Sequence, residues 1–148
     1  AVSVRGHHYF KVLDRNQSLD SNLYITFLNE MEASFANSMF PYPIRMRDMH
    51  LIHDNARPHA SQATTTYLQD KCVKLLKQPP YSPDFNLCDP YIFPRLKAVR
   101  KDKNETKEEL EEFLRHHLPT FHGEKMKGAV ENVCMDLRSI LEKGGDYL

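Results

Sequence analysis

Residues 49–59 read Met49-His50-Leu51-Ile52-His53-Asp54-Asn55-Ala56-Arg57-Pro58-His59. The run 49–53 is continuously apolar rather than alternating, which predicts a short strand buried on both faces of a parallel sheet. Leu51 and Ile52 are therefore its expected core residues. Asp54 falls at the strand's C-terminal end, the edge of an open α/β sheet where ligands bind. Asn55 is suited to ordering the following loop through side-chain-to-backbone bonds, and Arg57 to pairing with a phosphate.

A second stretch reads Pro79-Pro80-Tyr81-Ser82-Pro83-Asp84-Phe85-Asn86-Leu87-Cys88-Asp89, which leaves 34 residues between Asp54 and Asp89. Its prolines make it stiff, so it costs less entropy to hold than a glycine loop would. Asp89-Pro90 reads as a helix start, with an N-cap acceptor before a first-turn proline. A stiff loop that returns Asp89 beside Asp54 makes a hard-oxygen site suited to Mg²⁺. Each aspartate also has a plain structural reading, Asp54 as a turn cap and Asp89 as a helix cap. Asp84 reads as a turn former rather than a ligand.

The elements around these stretches are equally readable. Residues 7–13 have strand composition. From Asp20 onward Leu23, Phe27, Leu28, Met31 and Phe35 recur at helical spacing, and that helix must stop before Pro41. A helix is expected from about 59 to 70 and a strand over 72–76. Thr106 and Glu109 form a capping box ahead of Leu110, Phe113 and Leu114. In the last helix Val130, Val133, Cys134, Leu137, Ile140 and Leu141 lie on one stripe, ending at Gly144-Gly145. Strand, helix, strand, helix, strand and further helices, in that order, indicate an α/β fold with parallel crossovers.

Composition narrows the class. A chain of 148 residues fits one domain, and 20 basic against 20 acidic residues give no net charge, which argues against a general nucleic-acid binder. Charge is uneven, however. Between Arg95 and Lys107 six basic residues (Arg95, Lys97, Arg100, Lys101, Lys103, Lys107) face two acidic ones, Asp102 and Glu105. This stripe reads either as a solvated helix face or as a phosphate-binding surface. Three cysteines without metal-ligand spacing suit a reducing, intracellular setting. No apolar run is long enough for a membrane span, and no signal peptide is expected. Zinc is disfavoured because His50 and His53, three apart on a strand, point to opposite faces.

His53-Asp54-Asn55-Ala56-Arg57-Pro58-His59, then Pro79-Pro80-Tyr81-Ser82-Pro83-Asp84, then Cys88-Asp89 and Phe93-Pro94-Arg95-Leu96-Lys97 resemble the catalytic domain of mariner-type transposases. The 34-residue interval matches the family's spacing of its second and third acids. Residues 6–13 resemble the third strand of that fold, Asp20-Ser21-Asn22-Leu23-Tyr24 the start of its first helix, and residues 144–148 its tail. The resemblance implies a ribonuclease-H-like mixed α/β sheet with flanking helices, here lacking the first two strands. It implies DNA as partner and Mg²⁺ or Mn²⁺ as cofactor, with Asp54 and Asp89 as catalytic metal ligands. Asn55, Arg57, His59, Arg95, Lys97, Arg100 and Lys101 are the expected nucleic-acid contacts. A homodimer and a nuclear location are further implications.

Departures from the family pattern matter too. The family's first acid stands upstream of the part that aligns with Gly6, and Asp14 and Asp20 align with a turn. The family's usual tryptophan in the last helix is absent, and Pro90 stands where an aromatic residue is commoner. Two ligands of three imply a chain inactive by itself. A non-catalytic nucleic-acid-binding or assembly module derived from a transposase is the competing expectation.

Overall fold

In the computed structural model, residues 1–38, 43–79, 82, 85–100, 106–122 and 124–142 are described. Two four-residue strands, β1 (His50–His53) and β2 (Lys74–Lys77), pair in parallel, with Leu51 opposite Leu75 and Ile52 opposite Leu76. Parallel strands cannot be closed by a hairpin. Their crossover is made by α2 (Arg57–Ala60) and α3 (Gln62–Asp70). The single helix expected over 59–70 is thus two. Ser61 adopts extended backbone between them, and its hydroxyl accepts from the Thr64 N–H at 3.1 Å, capping α3.

Ahead of the sheet, α1 (Ser21–Ala36) starts where Asp20 accepts from the Leu23 N–H at 2.8 Å. Its 3.6-residue periodicity buries Tyr24, Leu28, Met31 and Phe35 against Met46 and Leu68, and Leu51, Val73 and Leu75 pack on this cluster. Each such side chain contributes about 1.5–3 kcal/mol of burial.

Among the described residues, only one face of the sheet is covered. Leu51 is half-buried, but Ile52 is 46% and Leu76 48% exposed. The expectation that Ile52 is core is therefore corrected. The pleat sends neighbouring residues to opposite faces, so turning Leu51 and Leu75 onto α1 turns Ile52 and Leu76 away.

The strand expected over residues 7–13 is also absent. An isolated antiparallel bridge joins Val2 to His8, with the Ser3 N–H donating to His7 O at 2.8 Å. A strand is defined by its partner: Tyr9 still exchanges backbone hydrogen bonds with Ala1, but no strand among the described residues pairs with 10–13. Tyr9 instead packs on the α1 cluster and Phe10 on a second one. The sheet among the described residues has two strands rather than three.

That second cluster is built by Ile92, Leu96, Leu118, Phe121 and Met126. A widened helical turn (Cys88–Ile92) runs into α4 (Phe93–Val99), followed by α5 (Lys107–His117), a 3₁₀ turn (Leu118–Thr120) and α6 (Glu124–Glu142). The capping box of α5 is present: the Glu109 N–H donates to Thr106 Oγ1, and the Thr106 N–H to the Glu109 carboxylate. The expected stripe of α6 is not a buried one: Val130, Val133, Leu137 and Ile140 are half-buried, Cys134 is exposed and Leu141 is 77% exposed, while the buried residues, Met126 and Ala129, precede it in the chain. Gly144 and Gly145 lie outside the described residues.

One corner carries backbone strain. α3 ends with the Val73 N–H donating to Leu68 O and the Cys72 N–H to Gln69 O, both at 2.9 Å, a paired C-terminal closure that puts Cys72 at φ 54. Glycine is the usual residue there because a Cβ costs about 1–2 kcal/mol in this region. Cys72→Gly should therefore raise stability by about 0.5–1 kcal/mol in urea unfolding, after glycine's greater unfolded-state freedom is offset.

Candidate active site

β1 delivers Asp54 to its C-terminal end, and the next five residues fold back over it. The Ala56 N–H donates to Asp54 Oδ1 at 3.1 Å, closing a tight side-chain turn, and His59 Nδ1 lies 2.6 Å from the same oxygen. Neither bond uses Oδ2. Partial burial pushes the Asp54 carboxyl up. That is outweighed by the bonds from Ala56 and His59 and by the charges of His59 and His53, so its pKa lies below the usual aspartate value. Its side chain remains 55% exposed. Asp54 is an ionised, accessible oxygen donor.

Behind it stands an aromatic wall. The His59 ring lies 4.1 Å from the Tyr24 ring and 5.0 Å from that of His53, nearly parallel to the latter. Tyr24 Oη and His53 Nδ1 are hydrogen-bonded at 2.8 Å. Burial, and secondarily the Asp54 charge, raises the Tyr24 pKa and keeps the phenol protonated. Burial, then the neighbouring His59, pushes His53 down from 6.5 to about 4, with Asp54 opposing.

A clamp joins the first stretch to the start of the second. Asn55 Nδ2 donates to Gln78 O at 2.8 Å, and Gln78 Nε2 donates to Ser82 O at 2.6 Å. Asn55 thus makes the side-chain-to-backbone bond its residue type favours. Gln78 was not singled out by sequence. Its Oε1 is buried without a hydrogen-bond partner among the described residues. A polar residue placed between a strand and a proline pair was the available signal.

Asp89 lies within the widened turn Cys88–Ile92, one residue inside rather than at its cap. The expected N-cap role is corrected. Asn86 performs the local work, with Oδ1 accepting from the Cys88 N–H at 3.0 Å and Nδ2 donating to Asp89 Oδ2 at 2.9 Å. Such widened turns recur at functional positions. Pro80, Tyr81, Pro83 and Asp84 lie outside the described residues.

Of the expected nucleic-acid contacts, Arg57 opens α2 and is exposed, whereas His59 turns Nδ1 onto Asp54. Arg95, Lys97 and Arg100 are exposed on α4 and its C-terminal cap. The Arg95 guanidinium lies 3.7 Å from the Tyr91 ring centroid, and its Nη1 donates to Tyr91 O. Lys101 lies outside the described residues.

Mg²⁺ and Mn²⁺ take oxygen ligands, and the ionised Asp54 and the Asp89 carboxylate have the right chemistry. Among the described residues no group of three or more His, Cys, Asp or Glu side chains converges to hold a metal. No helix among them is long and apolar enough to cross a membrane.

Helices packed on a small parallel sheet, with an ionised aspartate at its C-terminal edge, make an α/β domain. Residues 1–121 match the family described as DDE superfamily endonuclease. The structure superimposes on that of the Mos1 mariner paired end complex with Mn, with a TM-score of 0.85 at 18% identity, over 99% of this chain and 43% of that one. The Mos1 transposase catalytic domain with raltegravir and Mg gives a TM-score of 0.82 at 18% identity, over 95% and 70% of the two chains. In sequence, the human histone-lysine N-methyltransferase SETMAR is 29% identical over 101 residues, 68% of this chain and 15% of that protein. The chain belongs to the DDE superfamily endonucleases, and its fold is the ribonuclease-H-like one of the Mos1 transposase catalytic domain. It spans less than half of the Mos1 chain in the paired end complex and about one seventh of SETMAR.

The His53 ring sets a pH signature. Its pKa is about 4 in the fold and near 6.5 when unfolded, so the stability of the neutral ring is complete above 6.5 and is lost as pH falls toward 4. Between pH 7 and 4.5, urea unfolding should show wild type losing about 1–2 kcal/mol more than His53→Gln, a figure discounted for partial exposure.

Proposed function

We propose that this chain is a transposase-derived DNA-processing domain in which Asp54 and Asp89 bind a divalent cation, Mg²⁺ or Mn²⁺. The observation that carries this is Asp54 itself, an ionised and exposed carboxylate at the C-terminal end of β1 in a chain of this family. Its Oδ1 is committed to Ala56 and His59, while these bonds leave Oδ2 to a cation. Such a cation, once bound, supplies activation of water or a 3′-hydroxyl and stabilisation of the leaving oxygen at a phosphodiester. The chain's own residues do the holding. Asn55 and Gln78 tie the strand ends together, Asn86 orients Asp89, and the exposed Arg57 is placed to meet a phosphate. Action on DNA as a homodimer in the nucleus completes the reading.

A complete three-acid set needs a carboxylate that the described residues do not bring to Asp54. The same observation favours a second reading, a non-catalytic DNA-binding or assembly module that uses the exposed basic side chains of α4. Strand-cleavage assays on the 148-residue chain with Mg²⁺ or Mn²⁺ should give no product. In a longer protein that supplies a third acid, Asp54→Ala and Asp89→Ala should each abolish cleavage. Metal-dependent nicking by this chain alone, lost in Asp54→Ala, would show that two acids suffice. A longer protein that stays inactive with three acids in place would favour the non-catalytic reading.

Binding to DNA should be weak, salt-dependent and indifferent to sequence. Replacing Arg95, Lys97, Arg100 and Lys101 by alanine should lower affinity and flatten the slope of log K against log salt by up to about 3–4. An unchanged slope would assign this stripe to a solvated surface.

A further inference from the structure

We infer that His59 is a positioning residue for Asp54, an inference that rests on the reading of Asp54 as a cation ligand. Its Nδ1 lies 2.6 Å from Asp54 Oδ1, the oxygen that also accepts from the Ala56 N–H, and a carboxylate oxygen accepts, so the imidazole is the donor of this bond. The two partners have different surroundings. The carboxylate is 55% exposed, whereas the His59 side chain is 16% exposed and packed against two other rings.

Three elements fix that ring. Tyr24, buried on α1 within the first core, places its ring 4.1 Å from it. His53, the last residue of β1, stacks at 5.0 Å with 13° between planes, and is itself held by Tyr24 Oη. Helix α2, only four residues long and containing Pro58, returns His59 to an acid five positions earlier. The donor is thus immobilised by the core, while its acceptor faces solvent.

Stability alone does not account for this arrangement. A bond to an exposed carboxylate adds little to folding. Holding one carboxylate oxygen in place, by contrast, removes rotational freedom that a cation would otherwise have to restrict. Groups hydrogen-bonded to a ligating carboxylate typically account for about ten- to hundredfold in metal affinity. Ring packing and proton donation can be separated by substitution. His59→Phe keeps a ring against Tyr24 and loses the donor. His59→Asn loses most of the ring and places an amide N–H near the Nδ1 position.

The test uses Mn²⁺ alone on the full 148-residue chain, with affinity read from paramagnetic broadening of backbone resonances near Asp54. Wild type should bind, Asp54→Asn should lose binding, and His59→Phe should bind about ten- to hundredfold more weakly. His59→Asn should recover to within about threefold of wild type. A second readout needs no metal: in long-range ¹H–¹⁵N spectra the His59 proton should sit on Nδ1 in wild type and leave it in Asp54→Asn. Equal Mn²⁺ affinity in wild type and His59→Phe, with binding lost in Asp54→Asn, overturns the positioning role and spares the cation reading. Equal affinity in wild type and Asp54→Asn overturns the cation reading itself and the inference with it. A His59 ring protonated on Nε2 alone in wild type contradicts the proposed bond directly.

Discussion

The parallel pairing of His50–His53 with Lys74–Lys77 is the constraint on which the arrangement depends. Parallel strands end on the same side, so the chain leaves both at one edge. Asp54 follows the first strand and Gln78 the second, which puts Asn55 within reach of the Gln78 carbonyl. The crossover that parallel pairing requires also carries His59 back to Asp54. Had the strands been joined by a hairpin, these groups would stand at opposite ends.

The core serves this edge as well as the stability of the domain. Tyr24 belongs to the buried stripe of α1, yet its ring and hydroxyl contact the two histidines that flank Asp54. Packing on α1 and geometry at the acid are therefore coupled through one side chain. The second cluster does comparable work for Asp89, because Ile92 anchors the widened turn in which the acid sits.

Much of this could be read from the sequence where short-range chemistry decides. The Asp20 cap, the α1 stripe, the capping box at Thr106 and Glu109, and the position of Asp54 after its strand all follow from adjacent residues. Errors arose where a partner far along the chain decides. Residues 7–13 have strand composition but no neighbouring strand among the described residues, and Ile52 is exposed because only one sheet face is covered by those residues. The break at Ser61 is local, yet a serine inside a helical pattern does not announce that its backbone will extend. At the site, the strand end and the stiff loop singled out Asp54 and Asp89, and the resemblance added their role as catalytic ligands. The orientation of His59 and the bridging by Gln78 depend on the fold bringing distant atoms within hydrogen-bonding distance.

The most direct measurement is a crystal structure of this chain grown or soaked with Mn²⁺, with anomalous difference density calculated around the sheet edge. The cation-site reading predicts one peak in contact with both Asp54 and Asp89, their carboxyl groups lying within about 8 Å of each other. Well-ordered carboxylates more than about 12 Å apart, with no Mn²⁺ between them, would contradict it.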